Sequence, residues 1–168
     1  KPARRPVYLH RLLVETAQRM RAATEARNIA FSLALAADLP AVNAEPIAIE
    51  QVVISLLHNS VEALLNAAGG TPHEIRLTAR RMGETMIEIA ISDTGPGIAQ
   101  QVAAHLFEPF ASNKPDGVGL GLAICRTIIR EHGGELWCEC DPQSGTSFLF
   151  TLPTGTSDSE NARIAATD

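Results

Sequence analysis

Four stretches of this chain carry polar groups in settings where they could act on a ligand. The first is a helical stripe of Ser55, Asn59, Glu62 and Asn66, whose spacing keeps them on one side of a helix. Ile49, Val53, Leu56, Leu57, Val61 and Leu64 form the other side. Asn is a poor helix former, so Asn59 in mid-helix asks for a reason. Its amide oxygen is a hard, neutral donor suited to Mg²⁺. The second stretch is Ser92-Asp93-Thr94-Gly95-Pro96-Gly97-Ile98. There a carboxylate at a strand end could accept from the exocyclic amine of a base, and the glycines would let backbone approach a flat ring.

The third stretch, Gly117-Val118-Gly119-Leu120-Gly121-Leu122, stands directly before a helix, where exposed N–H groups and the positive dipole end favour an anion. It is neither a Walker A loop nor a good dinucleotide fingerprint, since a polar loop and not a strand precedes it. The fourth joins Leu106-Phe107-Glu108-Pro109-Phe110 to Ser112-Asn113-Lys114-Pro115-Asp116. It reads as a hinged lid over residues 111–118, with Lys114 able to meet a terminal phosphate. Each stretch alone has a plainer reading: a solvated helix face, a turn with a capping Asp, a glycine-rich helix start, a surface loop.

The elements that must hold these groups follow from periodicity. Helical spacing covers 7–27 with a stop at Asn28, then 46–68 with Pro46 in its first turn, then 119–132 ending at Gly133-Gly134. Strand alternation is expected at 29–35, 74–81, 85–92, 135–140 and 146–152, with a short strand near 41–43. Strands that come in hairpins imply a mixed, largely antiparallel sheet. Helices covering one face make it a two-layer α/β sandwich. The domain is expected over 1–153. A small, polar tail over 154–168 is expected to be disordered.

Composition fits one ordinary globular domain: 168 residues, 45% hydrophobic, 20% charged, net charge −5. The negative balance argues against nucleic acid as a partner. No apolar run reads as a bilayer span of roughly 20 residues, so no direct membrane contact is expected. The first residue is not Met, which points to a piece of a longer chain. Cys125, Cys138 and Cys140 form no CxxC pair and are expected to be reduced thiols in a cytoplasmic setting. Cys138 and Cys140 would share one strand face, which suits packing better than bridging.

In their order and spacing, the four stretches resemble the catalytic ATP-binding domain of bacterial sensor histidine kinases, in the Bergerat superfamily. Leu56 to Ala63 is similar to the family's N box, Asp93 to Gly97 to its first glycine box, Phe107 to Phe110 to its F box, and Gly117 to Leu122 to its second glycine box. Gly145-Thr146 is similar to a last glycine motif. The Lys-Pro-Asp-Gly and Asn-Ser-Val-Glu-Ala runs look most like the oxygen- and nitrogen-sensing branch.

The resemblance implies ATP and Mg²⁺ as cofactors. It implies Asn59 as metal ligand, Asp93 as reader of the adenine amine, Gly95 and Gly97 as shapers of the pocket, and Lys114 at the γ-phosphate. Gly117, Gly119, Leu120 and Gly121 would wrap the phosphates, and Thr146 would line the site. Glu62 would act in metal or phosphoacceptor geometry. The chain departs from the family in carrying Ser55 where another Asn is usual, and Ser112-Asn113-Lys114 where Thr-Thr-Lys is usual.

The family's phosphoacceptor is a His followed by an acidic residue, and none of His10, His58, His73, His105 and His132 is so followed. The partners implied are therefore the parent's own helical hairpin, upstream of Lys1, and a response regulator downstream. The location implied is the cytoplasm, under a parent that can itself be membrane-anchored. Two rivals remain. A gyrase-type hydrolase of the same fold would place a Glu base at position 55, and Ser55 does not serve. A nucleotide-sensing module without catalysis would use the same pocket.

Overall fold

The computed structural model describes residues 3–67, 69–70, 72–110 and 121–155. A five-stranded sheet runs in the order β2 (Ala30–Leu35), β4 (Glu74–Met82), β5 (Met86–Asp93), β7 (Gly145–Pro153), β6 (Leu136–Asp141). Only the β2–β4 pair is parallel. A small antiparallel pair, β1 (Arg5–Val7) with β3 (Val42–Ala44), sits apart from it. Helices α1 (Leu9–Glu25), α2 (Pro46–Leu65) and α4 (Gly121–Glu131) pack over one face, and α3 (Gln100–Ala103) is a single turn. This is the expected two-layer sandwich. Strand β1 and helix α3 were not foreseen, because three or four residues are too few to show a period.

Period-two alternation sets the inner face. Ile87, Ile89 and Ile91 of β5 are fully buried, as are Ile75 and Leu77 of β4 and Phe150 of β7. The register aligns them in rows across the sheet. One row runs Leu33, Leu77, Ile91, Phe148, Cys138, and the next runs Phe31, Ile75, Asp93, Thr146, Cys140. Asp93 thus occupies the fourth inward position of a strand whose other three are isoleucines.

The apolar side of α2 foreseen from sequence is buried throughout, from Ile49 to Leu64, and Val52 joins it. By length and composition α2 could cross a membrane. Here its apolar side is the middle of the core, between the sheet, α1 and α4. Pro46 stands in the first turn with Glu45 as N-cap. Asn28, with φ of 55°, ends the α1 segment in the left-handed region that Asn tolerates. Gly133, with φ of 81°, turns the chain after α4, and the N–H of Gly134 closes on the carbonyl of Ile129.

Past Pro153, Thr154 donates to the carbonyl of Thr85 and Gly155 to that of Ala41. Residues 156–168 lie outside the described residues, as does the lid segment 111–118.

Candidate functional site

Asp93 is 3% exposed. The end of β5 that carries it is fixed by Thr94. The Thr94 N–H donates to the carbonyl of Glu74, its hydroxyl donates to the carbonyl of Pro72 at 2.7 Å, and the same oxygen accepts the N–H of Glu74 at 3.0 Å. Asp93 Oδ1 accepts the Gly95 N–H at 2.9 Å.

Burial raises the Asp93 carboxyl above its ordinary range, against the pull of the Gly95 N–H, the Ser60 hydroxyl and the Thr146 N–H, which favour the charged form. Ser60 faces the carboxylate from α2 yet stays outside hydrogen-bonding geometry. Among the described residues, Ser60 Oγ and Asp93 Oδ2 are therefore both buried without a partner. A buried carboxylate oxygen with an unused lone pair is costly to keep. It is what a donor on a bound ligand would relieve.

Helix α2 touches the same place. A β-carbon built at Gly95 would lie 2.8 Å from Asp93 Oδ1 and 3.6 Å from the Ala63 β-carbon. Asn59, half-buried, is one helical turn before Ala63 and next to Ser60, so it borders the Asp93 pocket. Glu62 is exposed and Ser55 half-buried. Ser55 faces Cys125 of α4, where its hydroxyl favours the thiolate against the larger, opposite effect of burial. That contact belongs to α2–α4 packing and gives the departure at position 55 a local partner.

The two glycines of the Asp93 stretch also serve the protein's own packing. Gly97 has φ of 74°, and a β-carbon there would meet the carbonyl of Asp141 at 2.7 Å. It seats the loop against the β6–β7 hairpin. Gly95 leaves room for the carboxylate itself. At the start of α4, a β-carbon on Gly121 would meet none of the described residues within 4 Å. Thr146 is buried beside Asp93.

Phe107 anchors the segment before residue 111. Its ring stands edge-on to Phe148 at 6.4 Å, and the Arg126 guanidinium lies over it at 5.5 Å. The expected site residues Lys114, Gly117, Gly119 and Leu120 lie outside the described residues. Asp93, Gly95 and Thr146 come together at one end of the β5–β7 pair, with Ala63 of α2 beside Gly95, Asn59 one helical turn before Ala63, and Gly97 bracing the loop from the hairpin side.

Ser60 was missed as part of this site, and Gly145 was foreseen only within the last glycine motif. The signal for Ser60 was a hydroxyl among the apolar side chains of α2. Gly145, with φ of 101°, backs directly onto Asp93.

Residues 44–156 match the family described as histidine kinase-, DNA gyrase B-, and HSP90-like ATPase, which is well over half of the chain. The chain belongs to this family. Within the ATPase family its likeness is to histidine kinases. It superposes on the catalytic domain of the histidine kinase ThkA with a TM-score of 0.78 and 31% identity, covering 90% of this chain and 95% of that one.

Among curated relatives, it is 37% identical to the adaptive-response sensory kinase SasA of Microcystis aeruginosa, over 87% of this chain and 38% of that protein. It is 41% identical to the sensor protein FixL of Bradyrhizobium diazoefficiens, over 73% of this chain and 23% of that protein. The chain thus spans well under half the length of these relatives. It is an ATP-binding catalytic domain of the histidine kinase type.

Proposed function

We propose that this domain binds Mg–ATP and delivers the γ-phosphoryl group to a histidine on a separate helical hairpin of its parent, in the cytoplasm, for onward transfer to a response regulator. The observation that carries the reading is the buried Asp93 carboxylate with Oδ2 unpartnered. An adenine amine would satisfy it, whereas a guanine carbonyl would oppose it.

Asn59 would hold Mg²⁺ through its amide oxygen. Among the described residues no cluster of three or more His, Cys, Asp or Glu could hold a metal. Such a site therefore suits an ion that takes most of its oxygens from phosphates and water. Mg²⁺ would supply charge neutralisation on the triphosphate. Lys114 would meet the γ-phosphate, Glu62 would set phosphoacceptor geometry, and Gly117, Gly119, Leu120 and Gly121 would line the phosphates beside Thr146. Catalysis is then mainly positioning and charge stabilisation. The crystallised complex of ThkA with the response regulator protein TrrA, whose kinase shares 29% identity with this chain at a TM-score of 0.74, supports the downstream partner.

The test is radiolabelled ATP with and without the parent's hairpin domain. Label on the hairpin, lost with Asn59→Ala, supports the proposal. Rapid phosphate release by the isolated chain would favour a hydrolase. Tight ATP binding without transfer would favour a nucleotide-sensing module.

A further inference from the structure

Cys138 and Cys140 both point to the inner face of β6, the edge strand, with their Sγ atoms 2.9 Å apart. Both are half-exposed, and neither is in a disulfide. Two residues of extended strand separate their α-carbons by about 6.7 Å. That is the upper edge of what a disulfide spans, and Glu139 between them is held in regular register against Ser147. A direct S–S bond would sit at that limit, with no slack left in the strand, whereas one bridging atom relaxes the requirement.

The surroundings narrow the bridging atom. Tetrahedral metals need more ligands than two, and the described residues offer no third His, Cys, Asp or Glu to complete a group. A linear two-coordinate cation drives its two sulfurs to opposite sides, wider than they stand here. Trivalent arsenic is pyramidal and holds two sulfurs close together.

We propose that Cys138 and Cys140 form a chelating dithiol for trivalent arsenicals of the type R–As(OH)₂, and that its occupancy is coupled to the nucleotide pocket. The step is a condensation without redox change. Two As–O bonds break, two As–S bonds form, and each thiol proton leaves with a hydroxide as water. The product is neutral. That suits a pair where burial, the neighbouring thiol, and the charges of Asp93 and Glu139 all push the Cys138 thiol up and disfavour a free thiolate.

Coupling follows from the sheet. Cys140 is the register partner of Thr146, and Thr146 is that of Asp93, where its N–H favours the charged form of the carboxylate. Cys138 lies opposite Phe148, which stands against Phe107. The backbone of Cys140 is one strand from Thr146 and two from Asp93, about 9.5 Å. The dithiol site stands on its own geometry; only its coupling rests on the nucleotide reading.

The experiment uses the full chain and phenylarsine oxide, read by intact mass. One phenylarsenic is expected per chain, in place of two hydrogens. Excess dimercaprol should remove it and excess monothiol should not. Cys138→Ser and Cys140→Ser should each abolish it, while Cys125→Ser keeps it. Tandem mass spectrometry of the wild-type adduct should put the arsenic on the peptide holding both residues, which decides the site even where a variant folds poorly.

Titration with a fluorescent ATP analogue should show affinity weakened about fivefold or more in the adduct, the low end of ordinary coupling between sites. Adduct formation at other residues, stripping by monothiol, or unchanged nucleotide affinity would each overturn the proposal. Nucleotide binding by the untreated chain is measured in the same titration, so failure of the pocket reading is seen separately.

Discussion

Gly145 stands directly behind Asp93: a β-carbon at position 145 would fall 1.9 Å from the carbonyl oxygen of Asp93, and the backbone there has φ of 101°. Gly145→Ala therefore meets two penalties, a conformation that L side chains rarely adopt and a clash with backbone that cannot rotate away. Together they should cost about 2–5 kcal/mol. Urea denaturation would show it as a lower midpoint. The variant should also lose nucleotide affinity, because relief requires β5 and β7 to part where Thr146 pairs with Asp93. A midpoint equal to wild type would refute the tight packing.

Asp93→Asn separates binding from stability. Nucleotide binding should weaken by about 1–3 kcal/mol, the usual cost of a mispaired buried group, as calorimetry would record. Apo stability should rise at neutral pH. Burial lifts the Asp93 carboxyl above its ordinary 3.8, so the folded chain takes up a proton at higher pH than the unfolded chain. Above the folded-state value, the buried charge costs stability. That cost fades as pH falls through the folded value towards 3.8. The advantage of the Asn variant should therefore shrink on acidification. An advantage that grew as pH fell would contradict the assignment of burial as the cause.

Much of this was legible in the chain because the relevant signals are periodic. Ile87, Ile89 and Ile91 at alternate positions already require that Asp93 point inward with them, so the location of the carboxylate was a matter of counting by two. The helix carrying Asn59 announced itself the same way, with its apolar side on Ile49, Val53 and Leu56. What could not be read were relationships across the chain. The parallel pairing of β2 with β4 has no local signature. Ser55 meeting Cys125 depends on how α2 and α4 pack. Gly95 and Gly97 were read as making room for a ligand; that a side chain at 95, 97 or 145 would also meet the protein's own atoms is a tertiary fact the sequence does not show. A closeness of 2.9 Å between Cys138 and Cys140 follows from rotamers, which the two-residue spacing leaves open.

Phe107 and Arg126 should be energetically coupled. The guanidinium lies 5.5 Å from the ring centroid, and Arg126 Nε is buried without a hydrogen-bond partner among the described residues. The ring face is then its main compensation. A double-mutant cycle with Phe107→Ala and Arg126→Ala should give a coupling of about 0.5–1 kcal/mol. Phe107→Ala alone should cost more, since it also removes the edge-on contact with Phe148. Additive single effects would mean that the stacking contributes nothing.

His132 links two helices through both ring nitrogens. Its Nδ1 lies 2.7 Å from the carbonyl of Ile128 within α4, and its Nε2 accepts the N–H of Glu45 at 3.1 Å. Glu45 is the N-cap of α2, and no side chain caps that end. A helix start leaves its first N–H groups without intrahelical partners, so here a histidine from the far end of α4 supplies one acceptor. The carbonyl can only accept, which puts the ring proton on Nδ1 and leaves the Nε2 lone pair for Glu45. His132→Ala removes both bonds at a site only 8% exposed and should cost about 1–3 kcal/mol, seen as a lowered denaturation midpoint. The imidazole tautomer is an independent check. Two-dimensional nitrogen–proton NMR should show Nδ1 protonated and Nε2 bare at neutral pH, and the opposite tautomer would sink the proposed link. Because the link lies between the N-terminus of α2 and the C-terminus of α4, away from Asn59 and Asp93, the folded variant should keep its affinity for nucleotide. A loss of affinity equal to the loss of stability would mean instead that the two helices position the pocket as one rigid unit.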